Sequence, residues 1–191
     1  MGSAARKPMT LAEFLAWEER QELRYEFDGV RPVAMTGGTR GHDIISNNLR
    51  AGLHRRLAGS GCRVHGPDVK IEAAGSIRYP DALVSCSPGP RNDTVIEHPV
   101  VVFEVISEGT ARTDRFDKLR AYFATPSIQR YVIVEQTSAA ATLFVRNAAA
   151  WQAIPLTAED TIPLPEIGIE LPIAELFVDI AFPAEDSEAS R

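Results

Sequence analysis

A single carboxylate interrupts an otherwise apolar stretch of the chain, Val100 to Ile106. Side chains alternate along a strand, so Glu104 would share a face with Val100, Val102 and Ile106. A run that is apolar on both faces is typical of a strand covered on both sides. A carboxylate in such a strand needs a partner, because burying it unpaired is costly. We therefore expect Glu104 to meet a Lys or Arg side chain or a divalent ion; a purely structural ion pair is the simpler alternative.

Three further residues are candidates to join Glu104. Asp81 follows Pro80 at the start of a short apolar segment, and Lys118 lies on the helix expected after the Glu104 strand. Asp114 precedes Lys118 by one helical turn on the same face. Carboxylates on neighbouring strands supply the hard oxygen ligands that Mg²⁺ or Mn²⁺ prefers. An ammonium beside them can orient water and stabilise charge on a phosphate, so the set predicts phosphodiester hydrolysis. Alternatively, Asp114 and Lys118 form only a surface ion pair, worth ~0.3–0.5 kcal/mol.

The elements that must position these groups are readable from local patterns. Thr10 to Glu13 has the form of a capping box and predicts a helix through about Trp17. A β-hairpin follows, with Leu23–Phe27 and Val30–Met35 as its strands and Asp28-Gly29 as its turn. Apolar residues recur every four positions from His42 to Ala58, which predicts an amphipathic helix.

The rest of the chain predicts short strands and few helices. Strands are expected around residues 63–64, 69–71, 81–85, 100–106, 130–135, 142–146, 151–156 and 164–171. Helices are expected over 114–124, which ends before Pro126, and over 172–177. The mixture indicates an α/β or α+β domain with a central mixed sheet.

Composition sets broad limits on the function. A chain of 191 residues is most simply one domain, and its net charge of −6 argues against a nucleic-acid coat protein. It does not exclude an enzyme that acts on nucleic acid, because metal-binding carboxylates are themselves negative. No apolar run is long enough to span a bilayer, and no secretory signal is evident. Cys62 and Cys86 are isolated, with no C-x-x-C motif, which indicates neither a disulfide framework nor a zinc site and favours a reducing cytoplasm.

The candidate residues carry a longer pattern that resembles a known family. The pattern is Tyr79-Pro80-Asp81, then Glu104-Val105-Ile106-Ser107, Thr110, Asp114, Lys118-Leu119 and Tyr122. It resembles the PD…EVxS…T…D…K…Y signature of the Uma-two family, endonucleases of the PD-(D/E)XK restriction-endonuclease-like superfamily. The resemblance extends upstream to Tyr25–Gly29 and downstream to Ile180, and so covers nearly the whole chain.

The resemblance implies a restriction-endonuclease-like fold, a mixed β-sheet core flanked by helices with an N-terminal β-hairpin. We expect one domain over residues 10–180, with flexible termini at 1–9 and 183–191. The resemblance further implies a metal-dependent endonuclease that hydrolyses phosphodiester bonds of nucleic acid, with DNA as the expected substrate. Mg²⁺ or Mn²⁺ is the expected cofactor, and a homodimer the expected assembly.

The resemblance also implies roles for individual residues. Asp81, Glu104 and Lys118 are the expected catalytic residues, and Asp81, Glu104 and the main-chain carbonyl of Val105 the expected metal ligands. The wider superfamily has a Glu-x-Lys motif that would place its lysine at position 106, where this chain has Ile106. The family pattern implies that Lys118 takes over that role from the following helix.

Three more residues are possible accessory members of the site: Glu26, His42 and Asp114. Glu26 lies beside the hairpin turn and His42 at a helix start, positions where an exposed or capping side chain would be unremarkable. Tyr122 shares the helix face of Lys118, where it is expected to be a core residue.

Other chemistries find little support in the sequence, which has no Walker A loop, no G-x-G-x-x-G, no H-E-x-x-H and no G-x-S-x-G. Two alternatives to the nuclease stay open. One is a non-catalytic dimeric module that keeps the fold as a binding scaffold, which the missing lysine at position 106 favours. The other is a metal-dependent hydrolase with a substrate other than a polynucleotide.

Overall fold

The computed structural model describes residues 8–35, 37–106, 112–148 and 150–182, and only the backbone of residues 112–115. The helices are α1 (Leu11–Glu18), α2 (Arg40–Leu57), α3 (Arg112–Ala124) and α4 (Ile173–Leu176). The strands are β1 (Tyr25–Phe27), β2 (Pro32–Ala34), β3 (Arg63–His65), β4 (Ile71–Ala73), β5 (Ser76–Arg78), β6 (Ala82–Ser85), β7 (Pro99–Ile106), β8 (Arg130–Glu135), β9 (Ala141–Arg146), β10 (Trp151–Leu156), β11 (Thr161–Leu164) and β12 (Ile169–Pro172).

A six-stranded mixed sheet forms the centre of the fold, in the order β10-β9-β8-β7-β6-β3. β7 and β8 are parallel, whereas the other neighbouring pairs are antiparallel. The parallel pair is joined through α3, because parallel strands need a crossover connection. This architecture confirms the predicted mixed-sheet fold with helices on its faces.

β7 is covered on both sides, as its sequence predicts. Val101, Phe103 and Val105 pack in one cluster with Ile45 and other apolar residues of α2. Val102 and Ile106 pack on the opposite face in a second cluster, which includes Tyr122 of α3. Glu104 therefore lies on the face covered by α3.

A second sheet of four short strands, β2-β1-β5-β4, contains the predicted N-terminal hairpin. β1 and β2 pair with Tyr25 opposite Ala34. The predicted capping box of α1 is present at Thr10 and Glu13. Strand β5 was not predicted, because Ser76-Ile77-Arg78 contains a single apolar residue; pairing with β1 and β4 establishes it.

The C-terminal part differs from the prediction in detail. The expected irregular strand over 164–171 is divided between β11 and β12, which form an antiparallel pair. A 3₁₀ turn, Pro165–Ile167, separates them. Gly168 follows it with φ 70°, a left-handed conformation that glycine adopts without steric cost. The predicted last helix is confirmed as α4.

The two cysteines are paired, although their isolated positions in the sequence indicated no disulfide framework. Cys62 and Cys86 form a disulfide across a sequence separation of 24 residues. The β3–β6 register explains the pairing: Arg63 lies opposite Ser85, so the next pair outward is Cys62 and Cys86. Sequence spacing could not show this, because the two strands become neighbours only in the folded sheet. The argument for a reducing compartment from isolated cysteines therefore loses its basis.

None of the helices in the described part of the chain is long and apolar enough to cross a membrane. Of the termini expected to be flexible, residues 1–7 and 183–191 lie outside the described residues. Met9 donates a backbone hydrogen bond to Val30 and packs against the aromatic cluster of Phe14 and Phe27. The extent of the single domain, residues 10–180, stays a prediction.

Candidate active site

The two expected carboxylates meet where β6 joins β7. Ala82 pairs with Phe103 in this antiparallel ladder, and continuing the register by one residue places Asp81 opposite Glu104. Residues opposite each other on antiparallel strands have Cβ atoms about 4.5–5.5 Å apart. The Asp81 carboxylate accepts the Val105 backbone N–H at 2.7 Å through Oδ2. The Asp81 side chain thus accepts the Val105 N–H that a backbone carbonyl would otherwise accept at the end of β6.

Glu104 is nearly enclosed, with its side chain 5% exposed, and α3 supplies two donors to it. Lys118 Nζ lies 3.1 Å from Glu104 Oε2, and the Tyr122 hydroxyl donates to Oε1 at 2.6 Å. Both come from one face of α3, since they are four residues apart. The expected meeting of Glu104 and Lys118 is thus observed, and the ordinary structural ion pair remains compatible with this contact.

The surroundings of Glu104 shift its ionisation strongly. Burial raises the pKa of Glu104 to about 7; the Lys118 ammonium opposes this rise, whereas the Asp81 and Glu26 carboxylates add to it. The hydrogen bond from Tyr122 favours the charged form and lowers the pKa somewhat. Near neutral pH the group can therefore change its proton occupancy, which is typical of functional sites.

Glu26 is buried at the same site. Its Oε2 accepts from Arg78 Nη1 at 3.1 Å, and its Oε1 accepts the Tyr79 backbone N–H at 3.1 Å. Lys118 Nζ lies 3.4 Å from Glu26 Oε1, so this ammonium stands between Glu26 and Glu104. The four-stranded sheet thereby brings the hairpin carboxylate to the central sheet.

His42 reaches Asp81 from the other side of the sheet. Its Nε2 lies 3.1 Å from Asp81 Oδ1. The hydrogen bond to Asp81 raises the pKa of His42, although partial burial opposes this shift. Thr39 fixes the start of α2: its hydroxyl accepts the His42 backbone N–H and donates to Gln136 beyond β8. Glu26 and His42 therefore both lie beside the acid pair, and their accessory roles stay predictions.

The structure does not describe every member of the family pattern. Ser107 and Thr110 lie outside the described residues, as does the side chain of Asp114. The role expected for Asp114 stays a prediction.

Sequence reasoning missed Arg78 and underestimated Tyr122. Arg78 is one of the largest fully buried side chains, and its position follows from the unpredicted strand β5. Tyr122 is buried, as expected of a core residue, but its hydroxyl also binds Glu104. Its spacing of four residues from Lys118 was the available signal. Nothing in the sequence pattern singled out Arg78.

A second buried ionic cluster lies beside the site. Glu18 of α1 accepts from Lys70 Nζ through Oε2 and from the Tyr79 hydroxyl through Oε1 at 2.6 Å. Burial and the bond to Glu18 raise the pKa of Tyr79. Because Tyr79 also donates its backbone N–H to Glu26, this cluster fixes α1 and β5 relative to the site.

The donor types at the site fit a hard divalent ion. Asp81 and Glu104 provide two carboxylates on facing strand positions, and Val105, whose carbonyl is a further oxygen donor, follows Glu104 in β7. The Asp81 and Glu26 carboxylates repel the charged form of Glu104 and so raise its pKa. A bound cation would offset this repulsion. Within the described residues, no three or more His, Cys, Asp and Glu side chains are grouped so as to hold a metal. The fit therefore rests on two carboxylates and main-chain oxygen.

Comparisons with known proteins bear on this site. A family model described as "Uma2: Putative restriction endonuclease" matches residues 11–174. An uncharacterized protein of Synechocystis sp. is 33% identical over 174 residues, covering 89% of this chain and 92% of its own length. A second uncharacterized protein of that organism is 25% identical over 138 residues, covering 70% of this chain and 78% of its own.

Among solved structures, the chain is similar to a crystal structure of a putative nuclease belonging to DUF820 from Anabaena variabilis. The TM-score is 0.73 at 16% sequence identity, over 90% of this chain and 98% of that chain. At this identity the likeness shows the fold. The family model, which spans most of the residues described above, shows that this chain belongs to the Uma2 family of putative restriction endonucleases.

Proposed function

We propose that this protein is a metal-dependent endonuclease that hydrolyses phosphodiester bonds of nucleic acid, with DNA as substrate and Mg²⁺ or Mn²⁺ as cofactor. One observation carries the proposal: the β6–β7 register sets Asp81 opposite Glu104, and α3 places the Lys118 ammonium 3.1 Å from the Glu104 carboxylate. Family membership supports the same reaction class.

Each residue has a distinct role in the proposal. Asp81, Glu104 and the Val105 carbonyl would hold the ion, which supplies Lewis-acid polarisation of a phosphoryl oxygen when bound. Lys118 orients the attacking water and stabilises charge that develops on the phosphate. Its second contact, to Glu26, holds the ammonium beside Glu104 from a second side.

Two neighbours position the carboxylates. Tyr122 holds one oxygen of Glu104, and His42 holds one oxygen of Asp81. These contacts restrict the rotamers of both acids, which is the supporting arrangement that metal ligands commonly have. The family resemblance extends the proposal to a homodimer, for which the mass of the protein in solution is the test.

Calorimetric titration of Mn²⁺ is the direct test of the metal site. Saturable binding is expected for the wild type and is expected to disappear in the Asp81→Asn, Glu104→Gln double variant. Glu159→Gln, Glu170→Gln is the matched control, because it removes two exposed carboxylates elsewhere. Equal heats in the wild type and the site variant would contradict the assignment.

Cleavage assays then test the substrate. Supercoiled DNA, linear duplex, single-stranded DNA and RNA are incubated with Mg²⁺ or Mn²⁺, with the double variant as the background control. Metal-dependent cleavage of any of them supports the endonuclease. Metal binding without cleavage of any polynucleotide would favour a hydrolase with another substrate.

A non-catalytic binding module is the second candidate, and one observation favours it. Each carboxylate oxygen of Asp81 and Glu104 already has a protein partner, so the network is satisfied without a ligand. The non-catalytic module would be favoured if the wild type binds no Mn²⁺ and its free energy of unfolding does not change when Mn²⁺ is added.

A further inference from the structure

The Cys62–Cys86 disulfide lies at the edge of the central sheet, away from the acid pair. It joins the start of β3 to the end of β6. β3 is an edge strand of three residues, and its ladder with β6 consists of three residue pairs. A strand with so few backbone contacts opens easily. The covalent bond therefore contributes much of what holds β3 in the sheet.

The bond is accessible in the folded protein. Cys86 is exposed, and Cys62 is half-buried. Cys62 also lies in the wall of a cavity of about 520 Å³, which Leu57 and Gly59 line as well. Thiol–disulfide exchange requires that a thiolate reach one of the two sulfurs, so exposure decides which disulfides react without unfolding. Cys86 is the more accessible side of this bond.

The segments next to the bond are held by little else. Gly59 and Gly61, between α2 and β3, are exposed and have φ of 79° and 88°. On the other side, residues 86–94 are exposed throughout. Leu53 and Leu57 of α2, in contrast, are buried in the large hydrophobic cluster. Breaking the disulfide should therefore free β3 locally and leave α2 in place.

β3 is linked to the candidate site through Arg50. Gly66 follows β3 and lies against this side chain, since a Cβ added to Gly66 would come within 3.2 Å of Arg50 Cδ. Arg50 Nη1 in turn donates to the backbone carbonyl of Asp81 at 3.1 Å. Displacement of β3 would remove packing that holds Arg50 against Asp81.

We propose that the Cys62–Cys86 bond is a site of reversible thiol–disulfide exchange with a dithiol reductant. Reduction releases the edge strand β3 from β6 and weakens the hold on Asp81. Exchange and release do not depend on the reaction proposed above. Only their effect on metal binding rests on the proposed function.

The exchange balances in electrons and protons. A thiolate of the reductant attacks the Cys86 sulfur and forms a mixed disulfide with it; Cys62 leaves as a thiolate and takes a proton from water. The second thiol of the reductant loses its proton and attacks the mixed disulfide, so Cys86 leaves as a thiolate and is protonated. Two electrons thus pass from the dithiol to the two cysteines, and the reductant becomes a disulfide.

The rate of reduction at several urea concentrations tests the exchange site. The oxidised protein is incubated with dithiothreitol, quenched with iodoacetamide, and the alkylated cysteines are counted by mass spectrometry. Direct exchange predicts a rate that is nearly constant below the unfolding transition. A rate that rises about tenfold or more per molar urea, in step with the unfolded fraction, would show that only the unfolded chain reacts and would overturn the proposal.

Hydrogen exchange of the oxidised and reduced protein tests the release of β3. The amides of Arg63–His65 should exchange about tenfold faster or more after reduction, because the cross-link no longer restrains the strand. The amides of β7 should keep their protection. The Cys62→Ser, Cys86→Ser variant should match the reduced wild type, and dithiothreitol should not change it further. Unchanged β3 exchange, or an equal loss of protection in β3 and β7, would overturn the local release.

Calorimetric titration of Mn²⁺ into both redox states tests the link to Asp81. The reduced protein should bind the ion more weakly than the oxidised protein. Equal affinities would overturn the link. A protein that binds no Mn²⁺ in either state would overturn the proposed metal site, whereas faster β3 exchange after reduction would still support the exchange site.

Discussion

Glu104 shows how burial and neighbouring charges determine the ionisation of a single carboxyl group. It lies in a strand whose other residues are apolar, and its cation, Lys118, is shared with Glu26. Desolvation therefore outweighs the attraction to Lys118, and the pKa rises to about 7. A paired buried carboxylate is weak evidence for stability, because the cost of desolvation can exceed the Coulombic gain.

The raised pKa predicts how stability depends on pH in the metal-free protein. The folded state holds the Glu104 proton more tightly than the unfolded state, so protonation of Glu104 stabilises the fold. This contribution to the free energy of unfolding is complete below the unfolded pKa and is lost as pH rises through about 7. Glu104→Gln cannot lose a proton and should gain stability relative to the wild type between pH 5 and pH 8. Urea denaturation in EDTA at several pH values measures this difference.

The exposed Glu170→Gln variant is the control for that experiment. It should follow the wild-type pH profile. A Glu104→Gln variant whose stability relative to the wild type is the same at pH 5 and pH 8 would contradict the raised pKa.

Lys118 carries a prediction that separates catalysis from metal binding. Lys118→Ala removes the ammonium beside Glu104 but leaves the oxygen donors of Asp81 and Glu104 in place. Cleavage should slow by about 100-fold or more, the cost typical of losing one preorganised electrostatic group. Mn²⁺ affinity, measured by calorimetry, should stay within severalfold of the wild type. Total loss of metal binding would contradict the role assigned to Lys118.

At the scale of elements, the site depends on how two sheets meet. β6 and β7 bring Asp81 opposite Glu104, and β1 and β5 bring Glu26 and Arg78 beside them. Helix α3 then closes one face with Lys118 and Tyr122. The Lys118 ammonium contacts both Glu26 of the four-stranded sheet and Glu104 of the central sheet. This ionic network therefore also holds the small sheet against the central one.

Substitution of Arg78 tests how much this ionic network contributes to stability. Its side chain is 2% exposed and pairs with Glu26, whose side chain is 9% exposed, so Arg78→Ala leaves a buried carboxylate without its main partner. Breaking a buried pair from one side costs about 3–5 kcal/mol, and Lys118 should keep the loss near the lower figure. The change in unfolding free energy is measured by urea denaturation.

A second substitution distinguishes the lost pair from lost packing. Glu26→Gln in the Arg78→Ala background removes the unpaired charge of Glu26 and should recover part of the lost stability. If the double variant is no more stable than Arg78→Ala alone, the cost lies in the cavity left by the arginine and not in the charge.

At the scale of the whole molecule, the arrangement of layers predicts where the fold is most stable. β7 and β8 lie at the centre of the six-stranded sheet with a hydrophobic cluster on each face. β2 is an edge strand whose Val33 is exposed. Local opening is easiest where few apolar contacts hold a segment.

Native-state hydrogen exchange should therefore rank the segments. The amides of β7 and β8 are expected to exchange most slowly, through global unfolding, and those of β2 much faster, through local opening. Mass spectrometry of peptic fragments gives this order. Equal protection in β2 and β7 would indicate that the hairpin and the central sheet unfold as one unit.

Much of the local structure is determined by short-range sequence signals. The capping box at Thr10, the four-residue repeat of α2 and the apolar run of β7 each specify their element within a few residues. Glu104 was recognisable for a similar reason, because a carboxylate in an apolar strand conflicts with its surroundings and so indicates a partner. The roles of Asp81 and Lys118 were expected chiefly from the family pattern.

The tertiary structure alone decided the partners that come from distant segments. Strand β5 has little propensity of its own, so Arg78 reaches Glu26 only because β1 and β4 flank it. The Cys62–Cys86 disulfide likewise depends on the β3–β6 register. Local propensity acts over a few residues, whereas strand pairing joins segments far apart in the chain. The sequence by itself therefore determined that a buried acid site exists, and the folded sheets decided which residues complete it.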